Sequence, residues 1–404
     1  MDLSKSCLET IQILNQHGYK AYLVGGAVRN YLLHLPIQDY DITTDATPEE
    51  IKQCFSQYKT IDTGIKHGTV SVRINHDQIE ITTFRTEKEY LDHRHPNAVL
   101  FTRSLQEDCL RRDFTMNALC YHPTEGIIDF FGGRFDIQNK IVKAIGNPIE
   151  RFDEDALRIL RAIRFSTQLN FLIEPNTNQA LFACKEYLKS ISVERIMDEL
   201  TKIFLSSTCA NQCFEYQEIF ETFIPELDEL NHFPTKRNQT YDALSKSKPS
   251  LPLRFAILIH QCNEHDLLYT AQRIMNRLKL SNQLKQQINT LLQSVSVTFN
   301  TKIDIKLFLQ SSKIDFIDIC DFKQCIDDTF NIDMITTLYT EIIRDNECYT
   351  LRQLNIKGND IKQIGYPDQM ISTILNDCLY LVIHETLDNS QPSLLDYIKT
   401  KYKK

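Results

Sequence analysis

Tryptophan is absent from this 404-residue chain, and glycine and proline number only 11 and 12. That scarcity excludes collagen-like repeats, long flexible linkers and low-complexity tails. No run approaches the roughly 18 uninterrupted apolar residues of a membrane-spanning helix, so no membrane partner is expected. The N-terminal stretch lacks an apolar leader core. Leu3, Cys7, Leu8, Ile11 and Leu14 instead recur at helical spacing and predict an amphipathic first helix. The 12 cysteines are dispersed and none stands in a CxxC pair, so they read as reduced thiols of a cytoplasmic protein. His260, Cys262 and His265 cluster without an evident fourth ligand, which argues against a zinc site. Positive charge is also short. A net charge of −8, taken alone, argues against a nucleic-acid partner.

What is present divides the chain by texture. Short β-type runs at 21–24, 41–43, 69–74 and 78–84 alternate with turn signals, and most glycines precede residue 147. Beyond about residue 150 glycine almost vanishes and helical periodicity dominates, as at 156–165, 193–205, 253–260, 270–292 and 369–387. The predicted class is α+β: an α/β head followed by an all-helical remainder.

The chemistry-bearing residues lie in the head. Leu23-Val24 runs into Gly25-Gly26, followed by Ala27-Val28-Arg29. A strand entering a Gly-Gly turn before a helix lets backbone N–H groups approach a polyphosphate, and Arg29, one turn on, meets its charge. Shortly afterwards Asp39 and Asp41 stand at i and i+2 in an extended run, so both carboxylates project from one strand face. Two carboxylates so close repel each other unless a cation lies between them. Hard oxygen donors suit Mg²⁺, which takes one or two protein carboxylates plus substrate phosphates. Asp39 and Asp41 are thus the expected metal ligands. Glu80, on the run 78–82, reads either as a third catalytic acid or as a solvated strand residue. Two metal ions bridging the attacking and leaving oxygens is the usual logic of nucleotidyl transfer.

The segment Gly25-Gly26-Ala27-Val28-Arg29 with Asp39-Tyr40-Asp41 resembles the nucleotidyltransferase signature of class II tRNA CCA-adding enzymes and related bacterial poly(A) polymerases. Four further motifs of that family follow in order: Arg111-Arg112-Asp113-Phe114-Thr115-Met116-Asn117-Ala118, Asp129-Phe130-Phe131-Gly132-Gly133, Glu154-Asp155-Ala156-Leu157-Arg158 and Ser192-Val193-Glu194-Arg195-Ile196. The resemblance implies a nucleotidyltransferase head at 1–148, a helical base-reading neck at 149–206, a helical body at 207–300 and a tRNA-binding tail at 301–404. It also implies CTP, ATP and a tRNA 3′ end as partners.

Asp155, Arg158, Arg161 and Arg164 are spaced by three in a helical run, which places Asp155 and Arg158 on one face. Cytosine and adenine each carry an exocyclic amino donor beside an accepting ring nitrogen. A carboxylate and a guanidinium suit both bases, whereas guanine and uracil would leave buried groups unpaired. The resemblance gives this pair the role of a protein template, and makes Arg112, Arg161 and Arg164 phosphate contacts or supports. The charged segment 85–96 reads as a loop that the family uses for the terminal A; the chain has Arg94-His95 where the family pairs two arginines. Arg273, Arg277, Lys279, Lys285 and the closing lysines at 399–404 would offer cations to RNA phosphates. The rival functions are an A-adding enzyme working with a CC-adding partner, a poly(A) polymerase, and a catalytically silent RNA-binding protein.

Overall fold

The computed structural model describes residues 3–75, 77–90, 96–262, 266–312 and 314–402. Positions 91–95, His265 and the lysines at 403–404 lie outside the described residues, as do the expectations placed on them. The chain separates into two compact units, one of residues 1–228 with 277–279, the other of 229–276 with 280–404.

The first unit opens with helix α1 (Lys5–Gln16), capped by the Ser4 side chain, which accepts from the Cys7 N–H. Cys7, Ile11 and Leu14 are buried, as the helical spacing requires. The strands that follow are β1 (Ala21–Val24), β2 (Asp41–Thr44), β3 (Lys59–Gly64), β4 (Thr69–Ile74), β5 (Asp77–Thr83), β6 (Arg85–Tyr90), β7 (Pro96–Phe101), β8 (Cys120–His122) and β9 (Gly126–Ile128). Seven of them form one mixed sheet in the order β3-β4-β5-β2-β1-β8-β9. In it β1 runs antiparallel to β2 and β8, while β2 runs parallel to β5. On β5 the residues Ile79, Ile81 and Thr83 are buried while Gln78 and Glu80 face solvent, the period-2 alternation of a half-buried strand. The register therefore decides that Glu80 stays accessible.

Of the segment 85–96, expected as a loop, the described residues 85–90 form a strand instead. Strands β6 and β7 pair antiparallel in a separate two-stranded sheet, from Arg85 opposite Phe101 to Tyr90 opposite Pro96. The run Arg85-Thr86-Glu87-Lys88-Glu89-Tyr90 has no apolar alternation, so periodicity could not reveal a strand held chiefly by backbone pairing.

Around the sheet lie α2 (Gly26–Leu32), α3 (Pro48–Cys54), α4 (Leu105–Leu110) and α5 (Gly133–Gln138). They lead into α6 (Pro148–Glu154), α7 (Leu157–Leu169), α8 (Pro175–Ala183) and α9 (Val193–Phe204). Ile159, Leu160 and Ile163 of α7 and Leu200 and Ile203 of α9 are fully buried, and these two helices pack together.

The second unit carries helices and no strand among the described residues. Leu354 and Ile356 belong to a buried cluster with Ile361, Ile374, Leu379 and Ile398, so the 354–360 segment holds up a hydrophobic core. No described helix is long and apolar enough to cross a membrane. The α+β class, with a mixed sheet in the head and mostly helices beyond it, is the architecture expected; the one departure among the described residues is Leu172–Ile173, which pairs parallel with Ile141–Val142.

Candidate active site

The antiparallel register pairs Val24 with Asp41, and the parallel register pairs Asp41 with Glu80. The first pairing puts the carboxylate strand beside the glycine turn, because Gly25 follows Val24 directly. Residues paired across neighbouring strands point to the same face, so Glu80 stands beside Asp41. Asp39 lies just before β2, not within it. Asp41 is open to solvent, yet protein crowds its carboxyl. That crowding, the Glu80 charge and the Asp39 charge all raise its pKa, with Arg112 opposing them.

Gly25 adopts φ +69° and ψ −129° as the N-cap of α2, a conformation essentially restricted to glycine. Its N–H donates to the Leu119 carbonyl at 3.3 Å. Arg112 reaches this turn: a Cβ on Gly25 would stand 3.5 Å from its Nη1. Arg112 is itself held by fully buried Asp108, which accepts from Arg112 Nη2 at 3.1 Å and from Arg111 Nε at 3.0 Å. Asp108 also accepts from the Thr43 hydroxyl at 3.1 Å and the Arg85 N–H at 3.2 Å. One buried carboxylate thus ties β2, the start of β6 and Arg112 together. Burial lowers the Arg112 pKa most, but the Asp108 charge and hydrogen bond, with Cys109 and Cys120, together outweigh it and the net direction is upward.

Arg29 meets two amides. Its Nη1 donates to Asn117 Oδ1 at 2.7 Å, and its Nη2 to Asn30 Oδ1 at 2.8 Å. Asn117 in turn donates to Asp113 Oδ1 at 3.0 Å, and Asp113 takes Arg161 Nε on its other oxygen at 2.8 Å. Arg164 pairs with Glu199, which is nearly fully buried. Of these three arginines, only Arg29 has no carboxylate partner among the described residues. Burial, then the Arg164 and Arg161 charges, lower its pKa to about 10 against an opposing pull from Asp113, which leaves it charged at neutral pH. A half-buried cation whose hydrogen bonds go only to amides is a ready site for a polyanion.

The neck departs from the helix-face expectation. Asp155 is extended, with φ −141° and ψ 100°, in a break between α6 and α7. The break arises because its Oδ1 takes the Leu157 N–H at 3.1 Å, a local cap that competes with continuing the helix. Its Oδ2 accepts from Arg195 Nη2 at 2.8 Å. Arg158 bonds elsewhere, to the Arg151 carbonyl at 3.0 Å, the Arg111 carbonyl at 2.9 Å and Glu154 Oε2 at 2.6 Å. Asp155 and Arg158, three residues apart, are joined through the backbone, the Arg158 N–H donating to the Asp155 carbonyl at 3.0 Å, while a separate arginine, Arg195, holds the carboxylate.

Comparison with known proteins agrees with this geometry. Residues 21–143 match the family model "Poly A polymerase head domain", 170–230 match an RNA- and SrmB-binding site of polymerase A, and 255–398 match tRNA nucleotidyltransferase domain 2. A CCA-adding enzyme of Staphylococcus saprophyticus is 34% identical over 99% of this chain and 98% of its own length. The chain belongs to the CCA-adding enzyme family. Its members are nucleotidyltransferases. A second CCA-adding enzyme, from Streptococcus pneumoniae, is 33% identical over 98% of this chain and 97% of that protein. The crystal structure of the Bacillus stearothermophilus CCA-adding enzyme in complex with CTP superposes with a TM-score of 0.77 at 29% identity, over 99% of this chain and 98% of the other.

CCA-adding family membership makes a divalent cation part of the chemistry, and the donors present fit one. Asp39, Asp41 and Glu80 offer only oxygen, and a cation relieves the repulsion that raises the Asp41 pKa. Among the described residues no three His, Cys, Asp or Glu converge as an all-protein metal cage. That matches a site whose remaining ligands are substrate phosphates and water. Three contributors escaped the sequence analysis as separate functional residues: Asp108, Asp113 and Glu199. A signal for the acids was available, since arginines at 111, 112, 161 and 164 have to find carboxylates once buried. Arg277 pairs with Glu226 at 2.9 Å and Lys279 with Glu194 at 2.9 Å.

Proposed function

We propose that this chain adds C, C and A to the 3′ ends of tRNA from CTP and ATP, without a nucleic-acid template, releasing pyrophosphate. The observation that carries the proposal is the pairing of Val24 with Asp41, which sets a carboxylate cluster beside a glycine turn and an amide-held arginine. A triphosphate and the cation that accompanies it need such neighbours. The full-length likeness to CCA-adding enzymes, one of them solved with CTP, supports the choice of substrates.

Asp39 and Asp41 are the residues that would hold the cation, Mg²⁺ by the all-oxygen donor set, with Glu80 flanking them. The cation would supply charge neutralisation of the departing pyrophosphate and a lowered pKa for the attacking 3′-hydroxyl. Gly25 and Gly26 let the triphosphate approach the backbone, and Arg29 takes its charge, with Arg112 behind the turn. Asp155, steadied by Arg195, accepts the exocyclic amino group of cytosine or adenine, and Arg158 donates to the neighbouring ring nitrogen. Arg161 and Arg164 act as supports, since Asp113 and Glu199 already claim their charge. All twelve cysteines are free thiols, which supports a reducing, cytoplasmic setting.

The test is extension of tRNAs ending before CCA, after C and after CC, each with CTP, ATP or both. Completion of all three to CCA is the expected result. Addition to the CC-ended substrate alone would select an A-adding enzyme, and long A tracts on generic RNA would select poly(A) synthesis. No incorporation with any substrate would leave the silent RNA-binding alternative.

A further inference from the structure

Three guanidinium groups crowd one phenyl ring. Phe165, on α7 and only 5% exposed, has Arg164 Cζ 3.9 Å from its ring centroid, Arg29 Cζ at 4.9 Å and Arg161 Cζ at 5.5 Å. The ring is itself braced edge-on by Phe114, with centroids 5.8 Å apart and planes at 83°. Arg161 and Arg164 reach it from its own helix. Arg29 comes from α2, across the junction of head and neck. Three like charges this close repel one another. Asp113 pairs with Arg161 and Glu199 with Arg164, while the hydrogen bonds of Arg29 go to amides and Asp113 attracts it only from a distance. The negative face of the ring adds a further hold on Arg29, an attraction that grows when the cation is desolvated.

We propose that Phe165 is a positioning residue whose ring gathers Arg29 with Arg161 and Arg164 before a nucleotide arrives, so that the triphosphate meets an assembled cationic pocket. The inference rests on the nucleotidyltransferase reading and adds a residue to it. In the apo protein the ring offsets part of the repulsion among the guanidiniums. A polyphosphate then takes over that task, and little reorganisation is left for the binding step. A Phe165 that merely filled the core would be replaced equally well by any apolar group of its size. A platform requires a π face.

The test is calorimetric titration of the full chain with inorganic pyrophosphate and, separately, with CTP. Phe165→Leu should weaken pyrophosphate by about fivefold to thirtyfold, the span that the loss of one desolvated cation–π contact gives, and Phe165→Tyr should recover most of that affinity. A second series keeps the size of the side chain: replacing Phe165 by mono-, di- and trifluorophenylalanine drains the ring face stepwise, and the logarithm of the pyrophosphate Kd should climb with each fluorine. A flat fluorine series, or equal weakening by Phe165→Leu and Phe165→Tyr, would overturn the platform. Failure of the wild-type chain to bind CTP at all would overturn the nucleotide reading instead, and the platform with it.

Discussion

Arg195 Nη2 donates to Asp155 Oδ2 at 2.8 Å, while its Nη1 is buried without a hydrogen-bond partner. The carboxylate assigned to base reading is thus fixed by a helix, α9, that lies well beyond it in sequence. A reader held from behind can accept the amino group of an incoming base without first being ordered.

If that contact sets the geometry of the reader, Arg195→Ala should relax selectivity more than it slows correct addition. The expected outcome is a fall of up to about a hundredfold in the ratio of kcat/KM for CTP over UTP, the cost typical of a displacement on the order of 1 Å at a reacting site. The check is single-nucleotide incorporation on a tRNA lacking CCA. Unchanged discrimination would mean that Asp155 needs no such support.

Asp41 illustrates a conflict between function and stability. Its pKa is raised in the folded state, chiefly by crowding and then by Glu80. A raised carboxyl pKa means that the native state binds more protons than the unfolded chain between the unfolded and the folded pKa. Stability is therefore lost as pH rises through that window, and the ionised carboxylate is a liability at neutral pH. Asp41→Asn should abolish incorporation, by more than about a hundredfold since even outer-shell changes at metal sites cost 10–100-fold. It should also melt at the same or a higher temperature than the wild type at pH 7. A variant that loses activity by unfolding would melt lower.

Asp113 has the opposite sign. Burial would raise its pKa, but Arg161, the Asn117 hydrogen bond and Arg158 together outweigh this, and the carboxyl falls from 3.8 to about 2. Such a group contributes stability above its unfolded pKa, and that contribution disappears as pH falls through the folded pKa. Acid titration of the wild type should therefore show an added loss of stability between about pH 4 and pH 2. Asp113→Asn should lack this component and be less stable at pH 7 by about 3–5 kcal/mol, since it leaves Arg161 without its buried partner. Denaturant midpoints measured across this pH range decide the matter.

Gly133 begins α5, where a Cβ would lie 2.2 Å from the Thr115 carbonyl oxygen. The obstacle is backbone, so a rotamer change cannot relieve it. Gly133→Ala should lower stability by about 1–3 kcal/mol, as overpacking does, and Gly132→Ala serves as the comparison because its Cβ would meet nothing within 4 Å although its φ is +79°. Equal losses in the two variants would trace the effect to backbone conformation and not to the close approach.

Much of this was legible without coordinates. The alternation in β5 and the helical spacing in α1 and α7 are local patterns, and the structure keeps them. The glycine turn, the Asp39/Asp41 pair and the five ordered motifs named a chemistry because each needs particular residue types at short spacing. The hairpin of β6 and β7 stayed hidden, since strands held by backbone pairing leave no side-chain period to read. So did the break at Asp155, where one side-chain cap overrides the periodicity on either side.

The sequence by itself determined which groups are available: a phosphate turn, a carboxylate pair, arginines in excess along the neck, and the helical character of everything after the head. Only the tertiary structure decided which of those charges remain to do chemistry. Clustering suggested that the arginines at 158–164 were offered to the nucleotide and the cations at 273–285 to RNA, yet Glu154, Asp113, Glu199 and Glu226 each claim one. The physical reason is that burying a cation carries a large desolvation cost unless an anion comes with it, and that anion can be drawn from anywhere in the chain. Arg29, hydrogen-bonded to amides and facing an aromatic ring, is the exception, and under the proposed function it is the charge left for a triphosphate.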